Sequence, residues 1–320
     1  MNRIGILGSG FGLYGYLPAL IEAGGKKIFL PGRYKDKFSA RYELQEYADY
    51  IQWVFNDRAL YESIDSIVIA LPPSYQPDLV KILLHFNNIK YLLLEKPLAV
   101  SPDKSSQLID ELVQSNKIIR IGYNFRFTSW GTAIFEHLNT STNTASNNRL
   151  NISWNFIAPH YLNNAIVWKR FNSLGGGALR FYGIHLIALL AELGYTEIRS
   201  SKNTFVDSDE LVKWEGTFSG ANLPICDVKV DSKAEINQFL VSESSNSNKT
   251  IFFDNPTPFY HKEHSKAFSG QDNRLPYLID LCRTMYKPEK SYHWYKNTIE
   301  LWRLAEEVAA LDKRSNLMLH

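Results

Sequence analysis

Across the first 120 residues, short β-rich runs alternate with amphipathic stretches, and this alternation limits the possible folds more than any other feature of the chain. Strands are predicted over 3–7, 27–30, 66–71, 91–94 and 118–123, and helices over 11–23, 36–47, 77–86 and 103–115. Residues 66–71 read Ser-Ile-Val-Ile-Ala-Leu, a continuous apolar run of the kind covered on both faces. In 11–23, Leu13, Leu17, Leu20 and Ile21 share one side of a helix. Strands separated by helices run parallel and connect by right-handed crossovers, so the expected fold class is α/β with an open, doubly wound sheet.

The pattern changes after Arg126. Residues 139–148 form a polar tract that reads as an exposed loop. Alternating segments then follow at 150–156, 210–218, 225–230, 235–241 and 249–253, with one long helix at 178–193 and two more at 277–285 and 295–311. Strands that succeed one another without helices argue for a second, mainly antiparallel α+β domain. The expected division is 1–122 and 123–320. A chain of 320 residues with 45% apolar side chains can bury about three quarters of its unfolded surface, so no disulfide or metal staple is needed.

Charge narrows the partners. Lys+Arg at 35 against Asp+Glu at 33 leaves +2, which argues against a nucleic-acid protein. Two cysteines, Cys226 and Cys282, lie in no metal or disulfide pattern and suggest a reducing, cytoplasmic setting. The longest apolar runs fall short of the 18 or so residues a membrane span needs, so no membrane association is expected. His261 and His264 are three apart with no third ligand nearby, and no metal is predicted.

The first strand–helix junction is glycine-rich: Leu7-Gly8-Ser9-Gly10-Phe11-Gly12-Leu13. Gly8 permits a tight turn, and Gly10 lets backbone N–H groups approach a pyrophosphate at the positive end of a helix. Leu13 stands where a third glycine or alanine is usual, so the fingerprint is partial. No Asp or Glu occurs from 23 to 35, where an acid would bind the ribose 2′-hydroxyl of NAD. Gly32 and Arg33 stand there instead, and a guanidinium can hold a 2′-phosphate by a bidentate contact. The expected cofactor is therefore NADP(H), with NAD(H) possible.

Further motifs, in order, resemble one family. Leu94-Glu95-Lys96-Pro97-Leu98 is similar to the Glu-Lys-Pro motif of the Gfo/Idh/MocA (glucose–fructose oxidoreductase/inositol dehydrogenase) oxidoreductases. Trp168-Lys169-Arg170-Phe171, then Gly175-Gly176-Gly177-Ala178-Leu179 and Gly183-Ile184-His185, resemble the glycine-rich entry to that family's catalytic helix. Residues 122–127 resemble its domain crossover. The resemblance implies a Rossmann domain, then an antiparallel sheet whose open face usually makes a dimer or higher homo-oligomer, with the active site between the domains. It further implies hydride transfer at a carbinol or carbonyl carbon of a sugar, polyol or nucleotide sugar. By the same resemblance Lys96 is the catalytic lysine and Glu95 its anchor. An ammonium at a strand's carboxyl end can stabilise developing alkoxide charge.

One departure matters. The family's helix carries Asp four residues before His; here the string is Phe181-Tyr182-Gly183-Ile184-His185. Phe181 can neither bind a hydroxyl nor support an imidazole, so His185 is expected to act as a less anchored general base. Tyr182 has two readings, a cleft-facing proton donor suited to ketone reduction or a packed core tyrosine. Leu71, Pro72, Tyr75 and Gln76 resemble the family loop over the nicotinamide. Asn124, Arg126, Trp168 and Lys169 are the expected substrate residues, with Arg126 equally readable as a structural tie, and His160 and Tyr161 as weaker candidates. The leading expectation is a ketoreductase-like enzyme. The alternatives are a C=N or C=C reductase, or a regulatory protein that binds the dinucleotide without chemistry.

Overall fold

A computed structural model describes residues 2–140, 148–245, 249–260 and 272–317. The chain divides into two compact units. The first comprises Met1–Ala99, Leu108–Asn124 and His261–Lys290, and the second Val100–Gln107, Phe125–Tyr260 and Ser291–His320.

The first unit is built on a six-stranded parallel sheet. Its strands are β1 (Ile4–Leu7), β2 (Ile28–Pro31), β3 (Ile51–Val54), β4 (Ser66–Ile69), β5 (Tyr91–Leu94) and β6 (Ile118–Ile121), in the order β3-β2-β1-β4-β5-β6. β1 pairs with β2 on one side and β4 on the other, so the strand order reverses beside β1, where open α/β sheets bind ligands. β1 and β4 are buried along their whole lengths, as continuous apolar runs require.

Three local readings are corrected here. The predicted helix over 36–47 is a short α-helix, Lys35–Ser39, followed by 3₁₀ turns over Tyr42–Tyr50. β3 and the helix Asp57–Ser63 after it were not expected; β3 is an edge strand with only Ile51 fully buried, so its pattern is faint. The predicted helix over 11–23 opens as a π-helical turn, Gly12–Tyr16, before the α-helix Leu17–Glu22. Phe11 explains the wide turn: a Cβ on Gly15 would stand 2.2 Å from its ring, and the ring also packs on Tyr14 and Tyr16.

The first unit also takes back a C-terminal segment. Helix Leu275–Thr284 packs on Leu17–Glu22. Buried Arg120, on β6, binds the carbonyls of Thr284 (2.9 Å) and Lys287 (2.8 Å) and pairs with Glu289. Nothing in the local sequence announces this return, because it depends on partners more than 160 residues apart.

The second unit carries the strands β7 (Arg149–Ile157), β8 (Glu197–Phe205), β9 (Leu211–Ser219), β10 (Ile225–Asp231), β11 (Lys233–Ser244) and β12 (Lys249–Asn255), in the order β12-β11-β7-β10-β9-β8. All neighbours are antiparallel except β7 and β10. Leu150, Ile152 and Trp154 alternate inward with Val228, Val230, Trp214 and Phe239. Helix Ile184–Leu193 is buried through Ala191 and packs against helix His293–Leu317. β8 escaped prediction because it is an edge strand with Ser201 its only buried residue. The helix Ser129–Thr140 was also missed. It begins with buried Trp130, whose indole donates to the carbonyl of Pro258 at 3.0 Å. The helical stretch Asn172–Leu193 is long and apolar enough to span a membrane by composition, but 78% of that window is buried inside the protein.

Candidate functional site

In the first unit the glycine turn forms a cradle at the carboxyl end of β1. Gly8 has φ +133°, and a Cβ there would sit 2.4 Å from the carbonyl oxygen of Ala70, so only glycine fits. Its N–H donates to the Tyr34 hydroxyl at 3.1 Å. A Cβ on Gly10 would meet nothing within 4 Å, which leaves the open side of the cradle there. Gly12 instead closes on β1, where a Cβ would be 2.9 Å from Ile6. Leu13, at the third position of the fingerprint and expected with its neighbours to contact the cofactor, has a wholly buried side chain, and its N–H bonds the carbonyl of Gly10, so it supports the turn.

The carboxyl end of β2 brings charge to this cradle. Lys37 Nζ donates to Ser9 Oγ at 2.8 Å. Gly32 lies where a Cβ would be 3.3 Å from the carbonyl of Val54. Arg33 Nη1 is 2.5 Å from Asp57 Oδ1, with both side chains about half exposed. Tyr34, Lys37 and Asp57 are contacts the sequence reading did not include. Lys37 alone had a local signal, the basic run from Arg33 to Lys37.

On the other side of β1, Leu71 and Pro72 are half-buried and Tyr75 is exposed. Gln76 is wholly buried and works as a clamp. Its Nε2 donates to the carbonyls of Glu95 (3.0 Å) and Pro97 (2.9 Å), bracketing Lys96. Lys96 is buried, and its bond to Pro97 is cis. Glu95 Oε1 accepts a 2.5 Å hydrogen bond from Tyr16. Gly122 leaves room for that pair, since a Cβ there would stand 2.8 Å from Oε1. Burial raises the Glu95 carboxyl above its usual range, against the opposing pulls of Lys96, Tyr16 and Arg274. Arg274 comes from the returning C-terminal segment, lies 4.2 Å from the Phe11 ring centroid and pairs with Asp272.

A dinucleotide fits these residues. The open face at Gly10 suits a pyrophosphate. Two buried acceptors, Gln76 Oε1 and Asn124 Oδ1, have no hydrogen-bond partner among the described residues. A donor on a bound group, or an ordered water, would satisfy them.

In the second unit the triple glycine shapes the entry to the long helix. Gly175 and Gly177 have φ +84° and +81°, and a Cβ on Gly176 would stand 2.5 Å from the carbonyls of both Trp168 and Lys169. The helix again opens with a π-helical turn, Ala178–Gly183, before continuing as Ile184–Leu193. Such turns recur at functional sites. Where the resemblance expects Asp, Phe181 stands edge-on to Trp168 (5.3 Å) and Tyr182 (4.7 Å), with Lys169 Nζ 5.1 Å from its centroid.

Tyr182 is buried among Trp154, Phe156 and Phe181, with His160 stacked at 6.4 Å. His185 is buried and stacks on Phe125 at 4.8 Å. Arg126 holds Glu192 at 2.5 Å and lies over Trp294, so its guanidinium serves a structural contact within this unit. Tyr161 packs at a tilt against His160, with ring centroids 4.5 Å apart, and receives Arg170 over its ring. Burial first, then Lys169 and Arg170, push the His160 imidazole down to about 4. Among the described residues no cluster of three or more His, Cys, Asp or Glu can hold a metal; His261 and His264 lie outside them.

Residues 2–123 match the Gfo/Idh/MocA family model, described as an oxidoreductase family with an NAD-binding Rossmann fold. No curated protein matches the chain. Among solved structures, GenD2 from gentamicin A biosynthesis, in complex with NAD, has a TM-score of 0.73 at 14% identity, covering 97% of this chain and 95% of its own. The WlbA dehydrogenase from Bordetella pertussis, in complex with NADH and UDP-GlcNAcA, has 0.73 at 12%, covering 97% and 96%. Levoglucosan dehydrogenase, in complex with NADH and levoglucosan, has 0.70 at 12%, covering 97% of each chain. At these identities the likeness concerns the fold.

Proposed function

From the match of residues 2–123 to the Gfo/Idh/MocA oxidoreductase family model, we propose that the protein is an NAD(P)-dependent oxidoreductase acting on a carbonyl or carbinol carbon of a sugar, polyol or nucleotide sugar, in the manner of a ketoreductase. The observation that carries this reading is Lys96, buried at the carboxyl end of β5 and bracketed by the Gln76 clamp in the same unit as the glycine cradle. The sugar class is supported by the ligands of the WlbA and levoglucosan dehydrogenase structures.

Gly8, Ser9, Gly10 and Phe11 would hold the pyrophosphate, Gly32 and Arg33 the ribose end, and Leu71, Pro72, Tyr75 and Gln76 the nicotinamide end. A nicotinamide held there supplies or accepts hydride. Lys96 holds the substrate oxygen and stabilises the charge that develops on it, while Glu95 anchors the turn. Tyr182 donates a proton to a carbonyl oxygen, and His185 acts as general base. Asn124, Trp168 and Lys169 bind substrate; an indole plane suits a sugar ring and an ammonium suits an anionic substituent. Arg126 we assign to its structural pair with Glu192.

NADP(H) is our preferred cofactor, supported by Arg33 and Lys37 at the end of β2 and by the missing acid from 23 to 35. The two cysteines, free and buried, support a reducing, cytoplasmic setting, and the polar outer face of the second sheet is our choice for a homodimer contact.

A second reading, a dinucleotide-binding regulator without chemistry, is favoured only by Phe181 in place of Asp. One experiment separates the two: NADPH and NADH oxidation against a panel of keto-sugars, nucleotide keto-sugars and cyclic imines. Turnover on a keto-sugar that falls about 10²–10³-fold in Lys96→Ala supports the enzyme reading. Cofactor binding without turnover on any member overturns it. His185→Ala and Tyr182→Phe, run in parallel, are each expected to lose rate, and an undiminished rate in either removes that residue's role.

A further inference from the structure

We infer that Asp57 is a specificity-determining residue of the dinucleotide cradle, setting how strongly a 2′-phosphate is preferred over a free 2′-hydroxyl. The inference rests on the reading of Arg33 as the group that meets that phosphate. Arg33 stands on the single turn Gly32–Tyr34 after β2, and Asp57 opens the helix Asp57–Ser63 after β3. Pro31 and Val54, the last residues of the two strands, are register partners, so both side chains start from the same end of the sheet.

The contact between them is close. Arg33 Nη1 lies 2.5 Å from Asp57 Oδ1, with the side chains 51% and 41% exposed, so a ligand can reach both. The guanidinium also lies 5.1 Å from the ring centroid of Tyr34, whose hydroxyl receives the Gly8 N–H. Lys37 reaches Ser9 from the same side. These contacts give the ribose end of the cradle two cations and one anion, and the anion sits on Arg33.

Opposite effects on the two cofactors follow. A guanidinium carries five N–H donors, so the one on Asp57 leaves others for a phosphate. The Asp57 carboxylate nevertheless cancels about one unit of charge and repels a dianionic phosphate at short range. For a ribose with a free 2′-hydroxyl the same carboxylate is an acceptor. No acid from 23 to 35 can provide one, and the helix that follows the neighbouring strand brings Asp57 there. Asp57 therefore moderates the preference that Arg33 creates, and the chain accepts both cofactors with a modest bias toward the phosphorylated one.

The test is calorimetric binding of NADPH, NADH and 2′,5′-ADP at one fixed ionic strength. It compares the full-length protein with Arg33→Ala, Asp57→Asn and the double variant, and Asp57→Ser stands in should the asparagine protein fold poorly. Asp57→Asn is expected to tighten NADPH and 2′,5′-ADP about fivefold to tenfold and to weaken NADH about threefold. Arg33→Ala should weaken NADPH at least about tenfold, and in the double variant the gain from Asp57→Asn should vanish. If Arg33→Ala weakens NADPH while Asp57→Asn leaves the NADPH-to-NADH ratio unchanged, the role of Asp57 is overturned and that of Arg33 stands. If Arg33→Ala leaves the ratio unchanged as well, the cofactor reading itself falls, and this inference with it.

Discussion

Replacing His160 with glutamine should change how the protein's stability depends on pH, by an amount that follows from the site. His160 is 6% exposed on the short helix Pro159–Leu162, with Tyr161 at 4.5 Å and Tyr182 at 6.4 Å between ring centroids. Burial, Lys169 and Arg170 depress its pKa to about 4 against the weaker pull of Glu210, whereas the unfolded chain titrates at the ordinary 6.5. Below pH 6.5 the unfolded chain therefore takes up a proton that the folded protein refuses. The contribution is present in full above pH 6.5 and is lost as the pH falls toward 4. Each pH unit across that window is worth about 1.4 kcal/mol, so at pH 5 the loss reaches about 2 kcal/mol as a ceiling. Screening around the flanking cations lowers this to about 1 kcal/mol. Denaturant unfolding of the wild type and His160→Gln at pH 7.5 and pH 5, in one buffer salt, reads the difference, because every other titrating group is common to both. The wild type should lose about 1–2 kcal/mol more than the variant between the two pH values. Parallel losses in the two proteins, or an NMR titration placing His160 above pH 6, would refute the reasoning.

Two further substitutions test the packing that carries the site. Gly8→Ala combines φ +133° with a Cβ 2.4 Å from the Ala70 carbonyl, so it should cost about 1–3 kcal/mol and weaken NADH and NADPH binding more than about tenfold by calorimetry; unchanged affinity would separate the cradle from cofactor binding. Gly183→Ala would push a methyl to 2.7 Å from the buried Trp214 ring, and the expected penalty is about 1–3 kcal/mol with a matching fall in Tm. An unchanged melting temperature there would mean that helix and sheet separate more easily than their spacing indicates.

Much of this molecule was legible from local pattern. Apolar runs such as Ser66–Ile69 and Tyr91–Leu94 need burial on both faces, and a Gly-x-Gly turn between strand and helix leaves few conformations open, so the parallel sheet and the cradle could be read residue by residue. The inward alternation of Leu150, Ile152 and Trp154 likewise announced the second sheet. Edge strands were harder, because β3 and β8 bury almost nothing and leave little periodicity to detect. Long-range pairings left no local trace. Gln76 looked like one residue of a loop until its amide was found on the carbonyls of Glu95 and Pro97, about 20 residues away. Arg33 looked like an unencumbered phosphate ligand until Asp57 was found beside it. The return of Leu275–Thr284 to the first unit and the aromatic surroundings of Phe181 have the same origin. Backbone preference and hydrophobic period act over a few neighbouring residues, so sequence alone determined the well-buried elements and their layers. Which side chains meet depends on how distant segments pack, and only the tertiary structure decided that.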